Sequence, residues 1–239
     1  MKIDKQEHIK IMLNILADIS DNSGLAINLG FKGGTCCYFL YELDRFSVDL
    51  DFDLLDLKKK EFCFAEIDSI LRKYGELKIE KDMLMRKLKY ADKMSALKID
   101  ISDRMDINRL NKYEVKDIVA GIPLNVLRQD DIFAHKLVAV KDRFQNKRAN
   151  KKIANRDLYD INFFFSQKWN FNSEIIKLRT GKDVKKYFQD LFELIDKSAD
   201  NKNILEGIGA LIDESKRDWV KNNLKKEVLR QLAICIKSL

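Results

Sequence analysis

The chain has 239 residues, of which 46% are hydrophobic and 35% charged, and a formal net charge of +7. That length and balance describe a globular protein with material for one large domain or two modest ones. No apolar run approaches the roughly 18 residues a membrane helix needs, so a spanning segment is excluded.

The charged opening MKIDKQEHIK does not read as a secretory signal, and a cytoplasmic protein is expected. Cys36, Cys37, Cys63 and Cys235 show no CxxC spacing and are read as reduced core residues. His8 and His135 are the only histidines. A histidine-rich metal centre is impossible, and a Ser-His-Asp triad has little to draw on. Catalysis is therefore to be sought among carboxylates, lysines and metals. The excess of positive charge suits nucleic acid or nucleoside triphosphates, although basic proteins without such partners are common.

In chain order, Ile9, Met12, Leu13, Ile15, Leu16 and Ile19 recur at helical spacing and predict an amphipathic helix over residues 5–20. Ala26–Phe31 reads as a short strand and Thr35–Leu43 as a short helix. Val48–Leu54 alternates as a strand, and Lys58–Lys73 returns to helical periodicity. Strands are expected from Leu77 to about Leu127, in LKIEKDMLMRKLKY, SALKIDIS and Tyr113–Val119. Four helices follow, over 128–144, 156–167, 183–197 and 215–237. The last is read with Trp219, Val220, Leu224, Val228, Leu229, Leu232 and Ile236 on one stripe. The expected organisation is α+β: an α/β domain over residues 1–125, then a helical bundle over 126–239.

The chemistry concentrates in GFKGGTCCYFLYELDRFSVDLDFD, residues 30–53. Glycine lets a ligand approach the main chain closely, and Gly33-Gly34-Thr35 stands between a strand and a helix. Backbone N–H groups at that helix start can seat phosphate oxygens. Taken alone, the triplet is better explained by a plain tight turn with a threonine cap. In the next strand Val48, Leu50, Phe52 and Leu54 share one face, and Asp49, Asp51 and Asp53 the other. Carboxylates so placed repel one another unless a cation sits between them. Oxygen-only ligands suit Mg²⁺ or Mn²⁺; a solvated acidic face is the bland reading. In Leu97–Ser102, Asp100 alternates with apolar residues. Beside the first strand it would join Asp49 and Asp51, so that three carboxylates hold two ions. Asp100 then has the added option of general base.

In this order the residues resemble the polymerase-beta-like nucleotidyltransferase superfamily, and in local detail the AbiEii/AbiGii toxin family of bacterial abortive-infection and toxin–antitoxin systems. The Lys-Gly-Gly-Thr element is matched by Lys32, Gly33, Gly34 and Thr35. The Arg-x-Ser-x-Asp-x-Asp element is matched by Arg45, Ser47, Asp49 and Asp51. A helix lysine and an Arg-Asp-x-x-Asp helix start are matched by Lys136 and by Arg156, Asp157 and Asp160. The four motifs span about residues 28–165. The resemblance implies an N-terminal nucleotidyltransferase domain with a mixed or antiparallel sheet flanked by helices, ahead of a helical bundle. It further implies that Asp49, Asp51 and Asp100 bind the catalytic metals, that Lys136 holds the triphosphate, and that Asp157 adds an active-site carboxylate. Arg45 and Ser47 would lie beside the nucleotide. The bundle looks short for the family, and nothing after residue 170 carries a motif.

The expected function is metal-dependent transfer of a nucleotide from an NTP to RNA, with a tRNA end in view, as a toxin with a possible antitoxin partner. Alternatives are a protein or small-molecule hydroxyl as acceptor, a catalytically silent nucleotide- or RNA-binding module, or a nuclease, which would not require the Gly-Gly-Thr turn. Residues 141–156, with seven basic residues and one acid, read as a loop for an RNA backbone or as a solvated charge run. Trp169 and Trp219 are read as core residues in preference to base-stacking platforms.

Overall fold

The computed structural model describes residues 4–80, 84–91, 96–145 and 154–239. It divides into two compact units. One comprises residues 1–42 and 47–127, and the other residues 43–46 and 128–239.

The first unit opens with α1 (Lys5–Asp21), whose N-terminus is capped by Asp4 accepting from the Gln6 and Glu7 N–H groups. Met12, Ile15, Leu16 and Ile19 bury its apolar stripe. The expected strand over 26–31 begins later. Asn22 caps a six-residue helix, α2 (Ser23–Asn28), by accepting from Leu25 N, and only then does β1 (Leu29–Lys32) run out. A local side-chain cap thus overrides a run of apolar residues. There follow α3 (Gly33–Leu40), β2 (Asp49–Leu54), α4 (Lys60–Arg72), β3 (Glu76–Ile79), β4 (Met85–Lys89), β5 (Leu97–Ser102), α5 (Met105–Asn108), β6 (Tyr113–Ile118) and β7 (Ile122–Leu127).

The seven strands form one mixed sheet in the order β3-β4-β5-β2-β1-β7-β6. β2 with β5 and β1 with β7 are parallel, and the other neighbours antiparallel. Pro123, the only proline, lies in β7, opposite Asp117 of β6 and three residues before β7 meets β1 at Val126. Its missing N–H therefore falls short of that pairing. Phe31, Leu50, Phe52, Ile99 and Ile101 are each at most 1% exposed and form the apolar face of the central strands. Each contributes about 1.5–3 kcal/mol by burial.

The second unit contains α6 (Gln129–Gln145), α7 (Asn155–Ser166), α8 (Ser173–Thr180), α9 (Val184–Ser198) and α10 (Arg217–Ser238). α8 was not expected. Its start rests on Asn172, which accepts from Glu174 N and Ile175 N, and its end on Gly181 in the left-handed region. The buried stripe of α10 is Val220, Leu224, Val228 and Leu232. Trp219 stands off that stripe and is 42% exposed, a correction to its reading as core. Trp169 does stack on Phe164, with ring centroids 4.2 Å apart and planes 8° from parallel. Of the basic run 141–156, residues 146–153 lie outside the described residues, and those described on either side extend α6 and open α7. Among the described residues no helix is long and apolar enough to cross a membrane.

Candidate functional site

The alternation of β2 places Leu50 and Phe52 in the core and Asp49 and Asp51 half-buried on the opposite face. The parallel pairing with β5 sets Asp51 level with Asp100, Asp49 level with Lys98, and Asp53 level with Ser102. Side chains at the same level of neighbouring strands share a face. Asp49, Asp51 and Asp100 therefore stand together on one face of the first unit. Lys32 of β1 is level with Asp51 from the other side.

Gly33 follows at once, with φ +82°, where residues carrying a Cβ are strained. A Cβ there would fall 2.2 Å from Asp51 Oδ2. The glycine thus serves two ends: it turns the chain from β1 into α3, and it clears room for the Asp51 carboxylate at the helix start. Thr35 does not cap α3, for the helix starts without a side-chain cap. Its buried hydroxyl instead lies 2.9 Å from Ser47 Oγ and in short contact with the Asp49 carbonyl. Thr35 and Ser47 together pin the backbone where β2 begins. Ser47 is 7% exposed.

Two further groups that sequence reasoning missed brace the same strand. His8, fully buried on α1, lies 2.9 Å from the Val48 carbonyl through Nε2 and 2.5 Å from the Tyr90 hydroxyl through Nδ1. Donating to the carbonyl fixes the tautomer, so Nδ1 accepts from the Tyr90 hydroxyl. Burial pushes the His8 pKa down, against the opposing pull of the Val48 carbonyl and Asp49. Asp53, on the acidic face by alternation, is fully buried. It is met by Lys32 Nζ at 2.5 Å, Asn108 Nδ2 at 2.6 Å, Tyr113 Oη at 2.7 Å and Asn111 Nδ2 at 3.2 Å. Gly30 makes this possible, since a Cβ there would sit 2.2 Å from the Tyr113 ring. Lys32, expected at the nucleotide, accordingly has its ammonium on an internal carboxylate. Only the Lys-to-Asp spacing across β1 and β2 could have signalled this, and it needs the register to be read.

The carboxylate set offers hard oxygen donors suited to Mg²⁺ or Mn²⁺. Among the described residues no group of three or more His, Cys, Asp or Glu side chains is drawn close enough to hold an ion. The fit lies in the type of donor, the shared face and the space beside Gly33, rather than in a closed cage. Asp100 also lines a pocket of about 310 Å³ with Leu84, Met85, Ser102 and Arg104, which opens that face to a ligand.

The second unit holds the other expected residues in a buried charge cluster. Arg45 Nε and Nη2 clasp Asp160 at 2.5 and 2.7 Å, and Nη1 donates to the Phe46 carbonyl at 3.1 Å. Arg45, expected beside the nucleotide, is 4% exposed and engaged internally. Lys136 Nζ lies 2.7 Å from Asp160 Oδ2 and 3.5 Å from Asp157 Oδ1. Arg143 reaches Asp157 Oδ2 at 3.2 Å. Asp157 and Asp160 are both fully buried. Burial alone would raise the Asp160 pKa, but the charges of Arg45 and Lys136 outweigh it and hold it at about 2. Burial likewise opposes the Lys136 charge, and Asp160 with Asp157 overcomes it, so the Lys136 pKa is raised.

Comparison with known proteins bears on the fold and the family. Two Helicobacter pylori crystal structures share the fold with a TM-score of 0.55 each. One is JHP933, 20% identical, with 100% of this chain and 97% of that one covered. The other is of a candidate nucleotidyltransferase, 19% identical, with 98% and 99% covered. No protein with a curated description matches. At that identity the two structures show the fold. The model of the family described as nucleotidyl transferase AbiEii toxin, type IV toxin–antitoxin system, matches residues 14–228, and the chain belongs to that family.

Proposed function

We propose that the protein moves a nucleotide from a nucleoside triphosphate onto RNA, with a tRNA end as the first acceptor to try, and arrests growth as the toxin of a toxin–antitoxin pair. The observation that carries this reading is the level placement of Asp51 and Asp100 on parallel strands, with Asp49 on the same face and Gly33 alongside.

In this reading the N–H groups at the start of α3, from Gly33 and Gly34, receive phosphate oxygens. Asp49, Asp51 and Asp100 would hold Mg²⁺ or Mn²⁺. Such an ion, when bound, neutralises phosphate charge and acidifies the acceptor hydroxyl. Asp100 would take the acceptor's proton as the acceptor hydroxyl oxygen bonds to the α-phosphorus and pyrophosphate leaves. Thr35 and Ser47 hold the entry to β2, and through it Asp49, in position. For the helical unit, the reading keeps Lys136 as a charged partner for phosphate, with Asp160 and Asp157 as its counter-carboxylates. The family brings an expectation of an antitoxin partner.

The test is incorporation of each labelled NTP into cellular RNA with Mg²⁺ present. Wild-type protein is expected to label RNA, and Asp49→Ala/Asp51→Ala to label none. Full labelling by the double variant sinks the assignment. Label appearing in protein or a small molecule would keep the chemistry and replace the acceptor.

A further inference from the structure

The helical unit carries a pocket that the transfer chemistry does not use. Tyr159, Asn162, Phe163 and Ser166 of α7, Lys216 and Trp219 near the start of α10, and Asp44 enclose about 290 Å³. That is the lower end of the range for small-molecule sites, roughly 300–1,000 Å³, and suits one planar ring system.

Three of the seven lining side chains are aromatic, and they differ in depth. Tyr159 is 5% exposed, whereas Trp219 leaves 42% of its surface to water although the neighbouring Val220 is fully buried. The polar lining is ordered. Asp44 accepts from Lys216 Nζ at 2.6 Å, and the Tyr159 hydroxyl hydrogen-bonds to it as well. Asn162 is the exception: its Oδ1 is buried and has no hydrogen-bond partner among the described residues. An unmet buried acceptor is unfavourable, and a turn of the amide about its last torsion offers either an acceptor or a pair of donors.

The setting narrows the occupant. Residues 128–239 hold 24 Lys and Arg against 16 Asp and Glu, while residues 1–127 hold 21 against 22. The whole positive excess belongs to the unit that owns the pocket, and such an excess draws a polyanion. A base offers a π-face to an exposed indole and a donor–acceptor edge to an amide. An aromatic peptide side chain would stack, but would leave the amide and the charge without a counterpart.

We propose that this pocket holds an unpaired nucleobase of single-stranded RNA. The inference builds on the RNA-acceptor reading above, adding the feature by which the acceptor is gripped. Trp219 supplies the stacking face and Asn162 the polar edge, with Asp44, Lys216 and Tyr159 fixing the wall between them.

The experiment uses the full chain. Trp169→Phe leaves Trp219 as the sole tryptophan, since the chain has two. A short single-stranded RNA is titrated against its fluorescence, alongside the same backbone made abasic. Quenching by the RNA, with abasic binding about fivefold weaker or more, is expected. In the transfer assay Trp219→Ala is expected to raise KM for RNA by about fivefold or more while KM for NTP holds, and Trp219→Phe to restore most of the loss. Equal binding of intact and abasic strands, or no quenching, overturns the pocket assignment whatever the transfer assay gives. If wild-type protein labels no RNA yet the RNA quenches Trp219 and the abasic strand does not, the acceptor reading fails and the pocket stands.

Discussion

The two units use the same side chain, aspartate, in opposite ways. In the sheet unit Asp49, Asp51 and Asp100 stand half-buried on a shared face, where burial of the alternate residues Leu50, Phe52, Ile99 and Ile101 fixes their direction. In the helical unit Asp157 and Asp160 are fully buried and surrounded by Arg45, Lys136 and Arg143. A carboxylate with room beside it can take a ligand; one that is enclosed serves to order the chain. Asp53 shows that exposure decides this rather than sequence position. It lies two residues past Asp51 on the same face, yet four donors enclose it.

The contrast can be broken in graded steps. The largest effect is expected from Asp51→Ala, with a transfer rate down about a thousandfold, the upper range for losing one charge-stabilising group. Its loss of unfolding free energy should be smaller than that of Asp160→Ala, because Asp51 is half-buried where Asp160 is fully enclosed. A large stability loss without loss of rate would erase the distinction. Asp160→Ala should do the reverse in urea or thermal unfolding, costing about 3–5 kcal/mol because Arg45 and Lys136 are left buried without their carboxylate. Acid titration sharpens the same point. The Asp160 pKa is about 2 when folded against an ordinary 3.8, so its stabilisation is full above about pH 4 and is lost as pH falls towards 2. The shift corresponds to about 2 kcal/mol, and denaturant midpoints of wild type and Asp160→Asn should converge over that window. The smallest effect belongs to Thr35→Val, about 1 kcal/mol from one hydrogen-bonding hydroxyl. Its rate should fall by more than that stability loss explains if Thr35 positions Asp49, and single-turnover kinetics at saturating NTP would show the difference.

Much of the sheet unit was legible because its signals are local. Alternation in Val48–Leu54 and Leu97–Ser102 announces two strands and the faces of their aspartates, and the Gly-Gly-Thr triplet marks the turn. β7 and α8 were missed for different reasons. Pro123 disguises the start of β7, and α8 is short and defined by its caps, Asn172 and Gly181. What sequence could not convey was pairing at a distance. Arg45 meets Asp160 across 115 positions, and Lys32 meets Asp53 only through the register of β1 on β2. A basic residue that matches a phosphate-binding motif looks the same in sequence whether or not a buried acid claims it. Trp219 was misread because i, i+4 spacing cannot separate the centre of an apolar stripe from its margin one residue away.

Residues 43–46 carry a consequence for how this protein can be cut. They lie inside the sequence of the sheet unit yet belong to the helical one, anchored by Arg45 on Asp160 and by Phe46 N donating to the Leu211 carbonyl at 2.7 Å. Neither unit is therefore a continuous stretch of chain. A fragment begun at Arg128 would lack the guanidinium that neutralises the buried Asp160, so the helical half cannot be shuttled between homologues as a cassette unless those four residues travel with it.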